Sequence, residues 1–136
     1  MKLIFCIDDQ SGMMFFGKRQ SRDSVLYDRI LEITKGSKLF MSSYSAKLFE
    51  GKDGVIIDDS YAVNAQPEDF CFIENGDFDL DKSDCVILCH WNRRYQADRF
   101  FSFDLKALGF KRVSKEELEG SSHKKITVER YERKQI

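Results

Sequence analysis

The chain has 136 residues, 42% of them hydrophobic and 33% charged, with 22 Lys and Arg against 23 Asp and Glu. That length makes one domain, residues 1–136. The composition is that of a packed core under a charged surface, which excludes a disordered tail, a collagen-like repeat and a generally basic nucleic-acid binder.

The predicted elements run as follows. Residues 2–7, Lys-Leu-Ile-Phe-Cys-Ile, form a short apolar run closed by Asp8, Asp9 and Gly12, which reads as a buried strand. Gly12 to Arg22 reads as a loop carrying the basic patch Lys18, Arg19 and Arg22. A helix follows, capped by Ser21 or Asp23, with Val25, Leu26, Ile30, Leu31 and Ile33 as its stripe and Gly36 as its stop. Leu39-Phe40-Met41 is the next strand, and Ser45 to Phe49 a short helix with Ser45 as cap. Val55 to Ile57 and Phe70 to Ile73 are further strands, the second followed by an Asn75-Gly76 turn.

The second half reads as mostly strand. Cys85 to Trp91 is apolar almost throughout, and Phe100 to Phe103 is a shorter strand. Phe110–Val113 and Ile126–Tyr131 pair as a hairpin across Glu119-Gly120-Ser121-Ser122. Helical crossovers early in the chain imply a mostly parallel sheet, and the closing hairpin adds an antiparallel edge. The expected class is therefore α/β.

This order resembles dihydrofolate reductase over nearly the whole chain. The residues that carry the resemblance begin with the strand Leu3–Ile7, Asp9, Gly12-Met13, and Asp23 at the start of the first helix. They continue with the strand Val86–His90, the stretch Asp98-Arg99-Phe100-Phe101, the Ser122-His123 step and the ending Tyr131-Glu132-Arg133. The resemblance implies a dihydrofolate-reductase-like fold reduced in size, with a ligand pocket between the first strand, Asp23 and the Ser42–Ser45 helix start. It implies that Asp23 is the catalytic carboxylate, pairing with an amidine-like edge. Arg19 and Arg22, beside Asp23, are candidate ligand-binding cations. Ser43 and Ser45 are candidate ligand-binding hydroxyls.

The departures from that family fall on the cofactor motifs. The Pro-Trp pair before the acid is replaced by Lys18-Arg19-Gln20. The glycine-rich turn that would approach a diphosphate is Glu74-Asn75-Gly76-Asp77, with two carboxylates. The Gly-Arg-x-Thr at the second helix is Ser42-Ser43-Tyr44-Ser45 and lacks the arginine. The expectation is a divergent member of this fold that binds a small ligand, without NADPH-dependent reduction and with no cofactor.

Two alternatives come from other features. Residues 50–85 hold eleven acidic side chains and two basic ones, flanked by basic-rich segments. These are either solvated faces attracting each other within one fold or a surface for a protein partner. The opening, with its aspartates, Gly12-Met13 and Arg19-Gln20-Ser21-Arg22-Asp23, also resembles small bacterial proteins labelled ribonuclease Z. That enzyme needs a His-x-His-x-Asp-His cluster, whereas this chain has only His90 and His123, so no metal is expected. RNA processing is the third reading, and His90–Tyr95 is its one mixed aromatic and basic stretch.

The four cysteines, Cys6, Cys71, Cys85 and Cys89, sit in apolar runs and read as buried free thiols. No run approaches the roughly 20 apolar residues of a membrane span. A soluble, cytoplasmic protein without a membrane partner is expected.

Overall fold

The structure, a computed structural model, describes residues 1–134. Strand β1 (Lys2–Ile7) occupies the middle of the fold because both of its faces are apolar. Leu3, Phe5 and Ile7 enter one core, while Ile4 and, less deeply, Cys6 enter the other. The period of two thus sends a continuous hydrophobic run to both sides of a sheet.

The remaining strands repeat this division. β4 (Leu39–Met41), β5 (Val55–Ile57), β6 (Phe70–Ile73) and β7 (Cys85–His90) join β1 in a parallel array. β9 (Lys111–Leu118) and β10 (Ile126–Glu132) complete it as an antiparallel hairpin, giving the order β5-β4-β6-β1-β7-β10-β9. This matches the mostly parallel sheet with a C-terminal antiparallel hairpin read from the sequence.

Helix α1 (Ser24–Ile33) buries Leu26, Tyr27 and Ile30 against one face of the sheet. Leu26, Ile30, Leu31 and Ile33 of the predicted stripe lie on the packed side, but Val25 is 37% exposed. Tyr27 fills the helix's inner face in its place. The predicted cap is Asp23, whose Oδ1 accepts from the amides of Val25 and Leu26 at 3.0 and 3.3 Å.

Three local expectations are corrected. Gly12 to Arg22 is not one loop: β2 (Gly12–Phe15) and β3 (Lys18–Arg19) form a small hairpin. Its turn is Phe16-Gly17, both at positive φ. β2 also pairs with β8, which is only Arg99–Phe100 rather than Phe100 to Phe103. The second helix is a 3-10 turn over Ala46–Phe49, and Ser45 does not cap it with its side chain, because that hydroxyl is spent on Glu74. Between β5 and β6 the crossover shrinks to one helical turn, α2 (Tyr61–Asn64).

The C-terminal ends of β1, β4 and β6 open on the same edge of the sheet. In parallel α/β sheets this is the edge where ligand sites form, because loops rather than strands continue from it.

Candidate functional site

At the end of β1, Asp8 is buried and organises the edge. Its Oδ1 accepts from the amides of Gln10 and Gly12, and its Oδ2 from Gln20 Nε2 and the Tyr95 amide. A side chain at residue 12 would meet Ala97, Asp8 and Gln20 at 2.6–2.8 Å, so only glycine fits there.

Two polar clusters then share this edge. The first fills the cleft between β1, β4 and β6. Arg19 makes two parallel bonds to Glu74, Nε to Oε2 at 2.9 Å and Nη2 to Oε1 at 3.0 Å. Glu74 Oε1 also accepts from the buried Ser45 hydroxyl at 2.7 Å. Arg19 lies over the Tyr44 ring, and its amide donates to the Tyr44 hydroxyl at 2.8 Å. What remains open between Cys6, Met13, Arg19, Glu74 and Trp91 is about 10 Å³, roughly room for one water.

The turn after β6 is similarly filled. Arg99 donates to the carbonyls of Glu74 and Gly76 at 2.8 and 2.7 Å. Gly76 packs against the Tyr61 hydroxyl so closely that a Cβ would collide with it. The carbonyls of Glu74, Gly76 and Asp77 thus already have donors, and the turn carries the carboxylates of Glu74 and Asp77, whose charge opposes that of a diphosphate.

The second cluster centres on Asp23 and His123, both buried. Asp23 Oδ1 accepts from the Ser121 amide at 3.0 Å as well as from the helix. Its Oδ2 accepts from the Ser122 amide at 2.8 Å and from His123 Nδ1 at 3.0 Å. Burial alone would raise the Asp23 carboxyl. The bonds from Ser122, His123, Ser121 and Leu26 outweigh it and hold the carboxyl well below the usual carboxylate range. A carboxylate only accepts, so Nδ1 of His123 carries the hydrogen, and in the neutral imidazole Nε2 is then the nitrogen with the lone pair. Facing Nε2 are the Ser21 hydroxyl at 3.0 Å and the Tyr95 hydroxyl at 3.1 Å. Trp91 stacks on the imidazole at 4.7 Å and fixes its plane.

Beside this cluster is an open groove of about 610 Å³. Ser21, Arg22 and Lys47 line it, together with Tyr27, Leu48 and the serines of the 121–122 turn. A larger hollow, about 870 Å³, lies by Leu108 and Lys111. One of its cations, Arg133, is spent on the carbonyls of Ser83, Leu108 and Leu80, while Lys111 and Lys134 also line it beside Asp81 and Glu132.

The candidate residues from the sequence therefore separate. Asp23 and Arg22 stand at the groove, although both oxygens of Asp23 are bound within the protein. Arg19 and Ser45 meet at Glu74. Ser43 lies apart, with its amide and hydroxyl on Asp59. Ser21, Tyr95 and His123 were not singled out as site residues. In the sequence Ser21 shows as a possible helix cap, and His123 as part of the Ser122-His123 step and as one of two histidines too few for a metal cluster.

The other features resolve simply. The cysteines are free, with Cys6 half-buried and the other three buried. Burial pushes the Cys71 thiol up to about 12 and the Cys85 thiol up to about 11. Hydrogen bonding with Cys89, and then burial, raises the Cys6 thiol. Trp91, in the stretch considered for RNA stacking, is 3% exposed. Among the described residues no group of three or more His, Cys, Asp and Glu is placed to hold a metal ion, and no helix is long and apolar enough to cross a membrane.

No family model matches the chain, and no curated protein matches it. Nothing among the comparisons supports the resemblance to ribonuclease Z. The chain is similar in structure to dihydrofolate reductase from Enterococcus faecalis, solved in complex with NADP(H) and RAB-propyl. The TM-score is 0.67 at 14% sequence identity, covering 98% of this chain and 96% of that one. The protein has a dihydrofolate-reductase-like fold.

Proposed function

We propose that the protein binds a small organic anion in the groove at the start of α1 and does not carry out NADPH-dependent reduction. The observation that carries this reading is the groove's lining. Arg22 and Lys47 supply two cations, Ser21, Ser24, Ser121 and Ser122 supply hydroxyls, and Tyr27 and Leu48 supply an apolar wall. The one carboxylate beneath, Asp23, is already satisfied by backbone amides and His123. An aryl or short acyl carboxylate matches that combination. The deeper cleft argues against a reductase, because Arg19, Glu74 and Ser45 occupy it and Arg99 holds the turn after β6.

The test is a titration with benzoate and phenyl phosphate, followed through Trp91 fluorescence, with dihydrofolate and NADPH as comparison ligands. Binding of the aryl anions that weakens at least tenfold in Arg22→Ala/Lys47→Ala supports the reading. Turnover of dihydrofolate with NADPH overturns it, and so does the absence of any anion binding.

A second reading has its own observation. Val63 is 83% exposed and Ile57 48% exposed within the acidic 50–85 segment, and β5 is an edge strand. Of the ion pairs among the described residues, only Arg19–Glu74 uses a carboxylate from that segment. Most of its charge therefore faces outward, as a surface for a basic protein partner would. Loss of anion binding together with unchanged folding would bring this reading forward.

A further inference from the structure

We propose that Ser21, His123 and Asp23 form a nucleophile, base and positioning acid, and that the groove is the site of acyl transfer from a small anionic ester. This deepens the ligand-binding reading and rests on the groove being a ligand site.

The geometry has three parts. The Ser21 hydroxyl stands 3.0 Å from His123 Nε2, within reach of direct proton transfer. His123 Nδ1 stands 3.0 Å from Asp23 Oδ2, which holds the imidazole in the tautomer whose Nε2 accepts. Asp23 is in turn held by the amides of Ser121 and Ser122 and by the first amides of α1. Each member is thus oriented by the next, and the base is buried while the hydroxyl is half-exposed at the groove. The order of these residues along the chain is irrelevant, since such a constellation is defined by its geometry and roles.

The chemistry balances without a cofactor. Ser21 Oγ attacks the ester carbonyl carbon as its proton passes to His123 Nε2. The tetrahedral adduct collapses, the C–O bond to the alcohol breaks, and the leaving oxygen takes the proton from Nε2. Water then attacks the acyl-serine, with Nε2 again receiving and returning a proton, to release the acid and restore Ser21. Arg22 and Lys47, on the groove wall, select an ester that carries its own negative charge. Asp23 never touches the substrate, so it is a positioning residue.

The experiment treats the full chain with an alkyl fluorophosphonate, which a base-activated serine attacks with loss of fluoride. The adduct is located by peptide mass spectrometry. The same samples are assayed for hydrolysis of the mono(4-nitrophenyl) ester of succinic acid against 4-nitrophenyl acetate. The expected result is one adduct, on Ser21, and preference for the anionic ester. Ser21→Ala abolishes labelling. Asp23→Asn, in which Asn still caps the helix, slows it on the order of 10³–10⁴-fold.

Ser21→Cys gives a second readout that does not depend on the alanine variant folding. The native thiols are buried or raised, so the introduced thiol should be alkylated by iodoacetamide ahead of them. No adduct on Ser21, a labelling rate unchanged by Asp23→Asn, or a sluggish introduced thiol would overturn the proposal. Benzoate binding measured in Ser21→Ala separates this from the broader reading. If binding persists without labelling in the parent, the groove is a ligand site with no acyl chemistry. If binding is absent from both chains while Ser21 is labelled, the anion-site reading fails and the nucleophile stands.

Discussion

Asp23 and His123 are one hundred residues apart in the chain, yet their side chains meet at 3.0 Å in a site from which solvent is nearly excluded. Asp23 starts α1 and His123 precedes β10. Their bond therefore ties the first helix to the last hairpin across the edge of the sheet. The 121–122 turn is bonded to Asp23 and the Ser21 hydroxyl to His123, so this wall of the groove rests on that tie.

The first prediction concerns acid stability. The folded Asp23 carboxyl lies below the usual range. Its contribution to stability is then complete above the unfolded carboxylate's ordinary value of ~3.9 and is lost as the pH falls below it. Asp23→Asn removes the charge but keeps a capping side chain, so it should cost about 1–3 kcal/mol at pH 7. Urea denaturation at a series of pH values checks this. The gap between parent and variant should be constant from pH 7 to 5 and close towards pH 2. A gap that widens in acid would mean that Asp23 is not held ionised by the fold.

Gly120 provides the second. A Cβ there would collide with the Asp23 carboxylate and come within 2.9 Å of Ile126 Cδ1. The glycine is required by close approach rather than by a left-handed backbone, since Gly120 is not among the positive-φ residues. Gly120→Ala should destabilise the protein by about 1–3 kcal/mol, as overpacking does. It should also displace the 121–123 turn, which Trp91 fluorescence will register because Trp91 stacks on His123. An unchanged emission spectrum and denaturation midpoint would show that the turn is not clamped on Asp23.

A third follows from the filled cleft. Arg19 and Glu74 are 22% and 8% exposed along their side chains, so each is largely desolvated. Removing one leaves the other's charge buried, and Arg19→Met should cost about 3–5 kcal/mol. The double variant Arg19→Met/Glu74→Leu should recover most of that loss, because two apolar side chains need no partner. A double-mutant cycle measures the coupling. Additive costs would mean that the pair is solvated and the cleft more open than the bond distances imply.

These predictions draw on parts of the molecule that differed in how readable they were. β1, β6 and β7 were plain in the sequence because a continuous apolar run bounded by polar turns has one reading in an α/β chain. α1 was equally plain, with Asp23 as its cap. The β2–β3 hairpin was not, because Met13 and Met14 are both buried and break the expected alternation, while the turn residue Phe16 is exposed at positive φ. β8 exists only through pairing with β2, more than eighty-four residues earlier, as Met14 meets Arg99 and Gly12 meets Phe100. The site divides in the same way. Asp23 carried a local signal and was found. Ser21, Tyr95 and His123 acquire meaning only from one another, and no local spacing announces three side chains brought together by the sheet. Glu74 was read as an obstacle to phosphate, whereas its partner Arg19 was read as a ligand for one. Their mutual neutralisation needed the fold to be seen.

The last prediction isolates the role of Tyr95. Its hydroxyl lies 3.1 Å from His123 Nε2 and 3.3 Å from Ser21 Oγ, to which it can donate; when its one hydrogen turns to Nε2 instead, it competes with Ser21 for the single lone pair on that nitrogen. Tyr95→Phe keeps the ring against Trp91's side of the core and removes only the hydroxyl. Stability should fall by about 1 kcal/mol, the net worth of a neutral hydrogen bond. Fluorophosphonate labelling of Ser21 should become several-fold faster, because Nε2 then serves one hydroxyl instead of two. Slower labelling with an intact fold would assign the opposite role: Tyr95 would be the group that orients Ser21, and the hydroxyl nearest the base would not be free to act without it.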